Sequence, residues 1–278
     1  MPARIATGVV GGVLLLVLLK LSAFSALVVI ALLHAMAIYE YARLEPKLPP
    51  RAIVLYVLVG TVVVTLCGMA LAKEYAAEMV PAILAAFIIA VAAGDLFAYN
   101  RTGEAGQYSY FARAVLTITL PFAFLMPISH WPGGFPYLLL LLGASFGSDV
   151  GGIFVGKLAG RHKLAERLSP KKTWEGLIGG LLSAAACWMV TVSIWPLDLA
   201  IGVTQFSELP SGVQLALAGL GGVIAALFGV AGDLTFSLYK RQRGVKDYGN
   251  LLPGHGGILD RFDAFIFCAP IVYLICLM

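Results

Sequence analysis

Two aspartates in apolar surroundings are the first residues with the makings of chemistry. Asp149 lies in GASFGSDVGG and Asp233 in GVAGDLTFS. Each leads into a basic segment, Asp149 about eight residues before Lys157 and Asp233 about seven before Lys240. On helices, that spacing sets both carboxylates roughly 10–12 Å below a basic boundary. Charges at such depth in a bilayer are costly, and they normally face a bundle interior or a wet cavity. Their Gly and Ser neighbours let helices approach closely or let backbone reach a ligand. Two readings stay open: the pair shares one polar cavity, or each is bound by a Lys or Arg of a neighbouring helix. Asp95, in AAGDLF, ends another apolar run and equally marks a helix end.

The segment 157–176 reads KLAGRHKLAERLSPKKTWEG. Ser169 followed by Pro170 predicts a helix start, because Ser caps free N–H groups and Pro is preset for the first position. Lys171 and Lys172 then fall in the first turn, where cations oppose the helix dipole. A bound anion relieves that conflict, so Ser169, Lys171, Lys172 and Thr173 form a candidate phosphate site. The alternative is a basic anchor at the head of a membrane span. A second segment, 232–263, carries Lys240, Arg241, Lys246 and the turn Pro253-Gly254-His255-Gly256-Gly257. Its glycines can aim N–H groups at one point and form an anion nest. Asp260, Arg261 and Asp263 follow at once. Asp260 and Asp263 are three apart on one helix face, and their oxygens suit a hard cation such as Mg²⁺. With no other Cys or His beside it, His255 does not read as a zinc ligand.

These residues must be positioned by membrane helices. Of the 278 residues, 60% are hydrophobic and only 12% charged, far from the balance of a soluble domain. The low charge also excludes a disordered tail or a nucleic-acid-binding arm. Cys67, Cys187, Cys268 and Cys276 sit in apolar runs without a C-x-x-C pair, which argues against a zinc or disulfide framework. Apolar runs long enough to cross a bilayer occur near 5–20, 21–41, 52–72, 77–98, 109–128, 135–156, 174–195, 212–238 and 262–278. Lys20-Leu21-Ser22 separates the first two, which form one long helix, a hairpin, or a signal peptide followed by a span. With nine spans, every Lys and Arg except Lys20 and Lys73 falls on the side of the N-terminus. The positive-inside rule makes that side cytoplasmic. The expected fold is therefore an all-α integral membrane protein of about nine helices, N-terminus cytoplasmic and C-terminus outside. Residues 1–134 read as lipid-facing scaffold, and 135–278 as the part that carries the site. Carboxylates, lysines and glycine turns beside lipid point to Mg²⁺-phosphate chemistry on a molecule with a lipid tail. No G-x-x-x-x-G-K-[ST] loop is present.

The C-terminal residues resemble a known signature. Ser237, Lys240-Arg241, Lys246-Asp247, Gly249, Pro253 to Gly257, Asp260-Arg261 and Asp263 fall in the order and spacing of the CDP-diacylglycerol synthases, the phosphatidate cytidylyltransferases. The Ser-Asp-x-Gly-x-x-x-Gly-Lys stretch at 148–157 and the Ser169 to Gly176 run are also similar to that family. So are Arg4, entering the first span, and Glu40, ending the second. Tyr239 departs from the pattern, where an aliphatic residue or Phe is expected. The resemblance implies the reaction of CTP with phosphatidate to give CDP-diacylglycerol and pyrophosphate. It implies a multi-pass enzyme of the cell inner membrane, with its active site facing the cytoplasm. It implies Mg²⁺ on Asp233 and Asp260, a monovalent cation such as K⁺ beside it, and a homodimer. Lys172 and Lys240 join those aspartates as catalytic candidates. Lys171, Lys172, Lys240 and Arg241 are expected to hold phosphates, with Lys246 and Arg261 as further candidates, and the Gly254 to Gly257 turn to let backbone approach the triphosphate. Asp149 either holds a second cation or fixes a lysine. Competing readings are a CTP-dependent lipid-alcohol kinase, which would release CDP, and an ion-coupled transporter, which would need charged groups on both faces.

Overall fold

The computed structural model of the chain describes residues 16–46, 48–71, 107–130, 135–195, 197, 200–201, 204–249 and 256–277. The expected span at 77–98 with Asp95, the residues 5–15 of the first span with Arg4, and Gly254 and His255 lie outside the described residues. The chain divides into two compact units, Met1–His130 with Asp247–Asp260, and Trp131–Lys246 with Arg261–Met278.

The first unit is built on helices α1 (Ala23–Ala42), α2 (Pro50–Leu71) and α3 (Tyr110–Ser129). Ser22 interrupts the apolar stretch with an extended backbone, φ −162° and ψ 161°. Its hydroxyl accepts from Ser25 N–H at 3.0 Å, and the Ser25 hydroxyl accepts from Ser22 N–H at 3.0 Å. This reciprocal cap rules out one continuous helix through residues 5–41. Pro50 opens α2 at the first helical position, where its missing N–H costs nothing. Tyr41 stacks on Tyr110 with ring centroids 4.6 Å apart, and the Tyr110 hydroxyl donates to the Tyr41 carbonyl. Buried His34 bonds the Thr119 hydroxyl at 2.8 Å, inside a π-helical turn at Val115–Thr119.

The second unit holds α4 (Phe135–Ala159), α5 (Trp174–Ile194), α6 (Ser211–Gln242) and α7 (Leu259–Leu277) from Arg261 onward. Six described helices, α1 to α6, are long and apolar enough to cross a membrane. The chain is thus a helical membrane protein. At 1.5 Å per residue α6 is about 48 Å long, more than a hydrocarbon core of about 30 Å. Its last turn carries Lys240 and Arg241, cations that suit the negative end of the helix dipole.

The unit is not wholly α. Strands β1 (Lys163–Ala165) and β2 (Ser169–Thr173) form an antiparallel hairpin between α4 and α5. A shorter ladder pairs β3 (Ala200–Ile201) with β4 (Thr204–Gln205) between α5 and α6. Both are too short to show a two-residue periodicity in sequence. The α4–α5 crossing is backbone on backbone. A Cβ at Gly151 would lie 2.4 Å from Ser183 Cβ, and one at Gly180 would lie 2.7 Å from the Ser148 carbonyl oxygen. Small residues are what allow such an approach in lipid. The Trp188 indole N–H donates to the Leu140 carbonyl at 2.8 Å and fixes the two helices further along.

Candidate active site

In the second unit, α4, β2, α5 and α6 enclose a cavity of about 340 Å³. Asp149 reaches it from α4, Lys171 and Lys172 from β2, and Asp233 from α6. Ser169 and Thr173 also line it. A π-helical turn at Gly143–Gly147 precedes Asp149. Such turns widen a helix locally and recur at functional sites. The Lys172 ammonium forms an ion pair with one oxygen of Asp233, and the Ser237 hydroxyl donates to the other at 3.3 Å. The charges of Lys172 and Asp233 both act on Asp149. Both aspartates thus share one cavity, and a lysine does hold one of them, from a strand rather than a neighbouring helix.

The lysines get there by a route other than the expected one. No helix begins at Ser169. The residues Ser169–Thr173 are strand, and α5 begins at Trp174. Thr173 is the cap, extended at φ −126° and ψ 156°, its hydroxyl accepting from Gly176 N–H at 3.1 Å. Trp174 N–H donates to the His162 carbonyl at 3.0 Å. The Glu175 carboxylate accepts from Arg161 N–H, His162 N–H and the His162 ring at 2.6 Å. These bonds hold the segment as a hairpin arm, and they outweigh the local Ser-Pro signal. The first turn of α5 now holds Glu175, which the dipole favours, and the lysines lie outside it.

The remaining candidates of this unit lie outside the cavity lining. Lys240 and Asp263 are buried. Asp263 accepts from Ala264 N–H at 2.7 Å and feels the charges of Asp233, Lys240 and Asp149. The close α6–α7 contact brings this about, since a Cβ at Gly232 would stand 2.9 Å from the Asp263 carbonyl oxygen. Arg241 is exposed and donates to the carbonyls of Leu168 at 3.4 Å and Val245 at 3.2 Å, which ties the hairpin turn to the end of α6. Lys246 and Arg261 are exposed.

Gly256 and Gly257, the described end of the glycine turn, belong to the first unit with Asp260. One oxygen of Asp260 accepts from Tyr248 N–H at 2.7 Å and from Gly257 N–H at 3.1 Å. Glu40, fully buried, accepts from Ile258 N–H at 3.0 Å and Leu259 N–H at 2.9 Å. The backbone donors of Gly257, Ile258 and Leu259 are thus already engaged by protein carboxylates. Glu40 was legible as part of the family resemblance but not as a site residue. Its only local sign is a carboxylate in the apolar run AIYEYA.

Among the described residues, no group of three or more His, Cys, Asp or Glu side chains is arranged to hold a metal. The donor set still fits Mg²⁺. Two carboxylates line one cavity beside phosphate-seeking lysines, and Mg²⁺ usually takes one or two carboxylates plus substrate phosphates and water.

The chain belongs to the cytidylyltransferase family, whose model matches residues 2–278. The phosphatidate cytidylyltransferase of Pseudomonas aeruginosa is 32% identical over 166 residues, covering 60% of this chain and 56% of that protein. That of Staphylococcus aureus strain COL is 39% identical over 142 residues, covering 51% and 49%. YnbB of Escherichia coli K12, described as uncharacterized, is 38% identical over 149 residues, covering 54% and 45%. The chain spans about half the length of the curated relatives it matches. The resemblance read from the sequence holds at the level of the family.

Proposed function

We propose that the chain transfers the cytidylyl group of CTP to phosphatidate, giving CDP-diacylglycerol and pyrophosphate. The observation that carries this reading is the cavity in which Asp149 and Asp233, from two membrane-length helices, meet Lys171 and Lys172 from a hairpin at the helix ends. The family and the names of two relatives support it.

Phosphatidate keeps its acyl chains in the bilayer and brings its phosphate to the cavity mouth. A phosphate oxygen attacks the α-phosphorus of CTP in line, a new P–O bond forms, and the bond to the β-phosphate breaks with release of pyrophosphate. A phosphate monoester is already nucleophilic near neutral pH, so the protein needs no strong base. It contributes position and charge neutralisation. Lys171 and Lys172 hold phosphates, and Lys240 and Arg241, outside the cavity lining, are further candidates for that role. Asp233 holds Lys172 in line with the cavity before the nucleotide arrives. Asp149 and Asp233, which line the cavity, would hold Mg²⁺, and Asp263 and, by the family resemblance alone, Asp260 are further candidates. That ion would offset charge on the triphosphate, and K⁺ is its proposed companion.

The proposal includes nine spans with the N-terminus cytoplasmic and the C-terminus outside, a location in the cell inner membrane, a cytoplasm-facing site within 135–278, a lipid-facing scaffold over 1–134, and a homodimer. The charge distribution supports the orientation. The test is incubation of purified protein with CTP, phosphatidate and Mg²⁺, with both products identified. Pyrophosphate with a cytidine-bearing lipid is the expected pair. CDP with a lipid monoester would instead make the protein a CTP-dependent lipid kinase.

A further inference from the structure

We propose that His162 is a positioning residue for phosphate binding: its contact with Glu175 closes the base of the β1–β2 hairpin and sets where Lys171 and Lys172 stand in the cavity. The choice of ligand rests on the proposed function. Neither His162 nor Glu175 lines the cavity, so both act through the lysines.

The hairpin cannot hold its shape on strand pairing alone. Its ladder pairs Lys163 with Thr173 and Ala165 with Ser169, and the register shifts between them. Pro170, inside β2, has no N–H to give, and Pro170 and Lys171 are exposed. A hairpin of two strands is marginal in water by itself. The placement of β2 therefore depends on its two ends. At the tip, Leu168 N–H donates to the Ala165 carbonyl at 3.2 Å, and the Leu168 carbonyl accepts from Arg241 at 3.4 Å. The second of these is long for a hydrogen bond.

The base is held far more firmly. His162 is engaged through its carbonyl, which accepts from Trp174 N–H at 3.0 Å, through its N–H, which donates to Glu175 at 3.3 Å, and through its ring, at 2.6 Å from the same carboxylate. A carboxylate only accepts, so ring Nδ1 carries the proton, and the bond is charge-assisted. Glu175 stands in the first turn of α5, a helix that also lines the cavity. Lys172 lies three residues before it and pairs with Asp233 on α6. The clamp thus joins one strand end to the helix against which the lysines must be aimed. The His162 side chain is 78% exposed, so loss of its ring removes little packing. A hairpin loosened at the base must be ordered again when phosphate binds, and that cost falls on affinity rather than on the fold.

The experiment compares wild type, His162→Leu and His162→Asn as the full chain in detergent. Binding of inorganic pyrophosphate with Mg²⁺ is measured by calorimetry, kcat and KM for CTP and phosphatidate by product release, stability by thermal melting, and backbone exchange by mass spectrometry. Leu removes the ring donor, whereas Asn offers an amide N–H in its place. His162→Leu should weaken pyrophosphate binding about ten-fold and raise the KM of CTP or phosphatidate by a similar factor, with kcat changed by less than about three-fold. Its melting midpoint should stay within about 2 °C of wild type, and exchange should quicken only over residues 161–173. His162→Asn should restore both binding and KM. Pyrophosphate affinity and both KM values within about two-fold of wild type in His162→Leu overturn the proposal. So does His162→Asn behaving like His162→Leu, and so does a lowered midpoint with faster exchange through α4 and α5, which marks a purely structural role. Wild type that binds pyrophosphate without making CDP-diacylglycerol removes the proposed reaction, while the binding comparison still decides His162. Wild type that neither binds pyrophosphate nor turns over removes both.

Discussion

Lys172→Met is the perturbation that bears most directly on the cavity. It removes the ammonium that pairs with Asp233 and leaves two carboxylates, Asp149 and Asp233, facing each other across the site. The two side chains of the pair are 24% and 25% exposed, so the pair lies between two regimes. Exposed ion pairs contribute at most about 1 kcal/mol, and breaking a fully buried one costs about 3–5 kcal/mol. A quarter of each side chain in contact with water puts Lys172→Met near the middle, at about 2 kcal/mol. Asp233→Asn should cost less, because the amide still accepts from Ser237 and can accept from Lys172. The double variant should then be more stable than the sum of the singles by about 1–2 kcal/mol, roughly ten-fold in the folding constant. The assay is equilibrium unfolding in mixed micelles on all four proteins, with turnover measured in parallel. Lys172→Met should also lower turnover by about 100-fold, the usual scale for a lost charge-stabilising donor, and the double variant should stay inactive despite its regained stability. Additivity within about 0.3 kcal/mol, with Lys172→Met keeping near-normal turnover, would refute the reasoning.

Other outcomes follow from the same geometry. Gly151→Val should separate α4 from α5, since even a Cβ there meets Ser183 at 2.4 Å; a loss of about 1–3 kcal/mol and of turnover is expected, read by thermal melting and product release. Thr173→Ala should lose about 1 kcal/mol through the missing cap of α5, while Thr173→Ser should melt like wild type. Removal of divalent cations by a chelator should abolish turnover, and Mg²⁺ should restore it. Asp233→Asn should be inactive yet fold, as judged by an unchanged elution volume in detergent and a cooperative melt.

What was legible in the sequence follows from the range of the interactions. Membrane helices announce themselves through long apolar runs, and the expected 174–195 and 212–238 spans differ from α5 and α6 by a few residues at most ends. That Asp149 and Asp233 line one cavity was legible as one of two readings, because helical rise converts sequence distance from a basic segment into position along a helix. The hairpin was not readable. Ser169-Pro170 carries a strong local helix signal, and what overrides it is a set of bonds to Arg161, His162 and Glu175 that forms only once the chain has doubled back. The cap on α7 was hidden for the same reason on a larger scale, because nothing local to Glu40 says that Ile258 and Leu259 will meet it.

The most direct measurement follows the phosphorus atoms of CTP. Purified protein is given phosphatidate, Mg²⁺ and CTP labelled at either the α- or the γ-phosphorus. Label from the α position should enter the lipid fraction, and label from the γ position should leave as pyrophosphate. Transfer of the γ label to lipid, or no lipid labelling from either substrate, would contradict the assignment of this cavity to cytidylyl transfer.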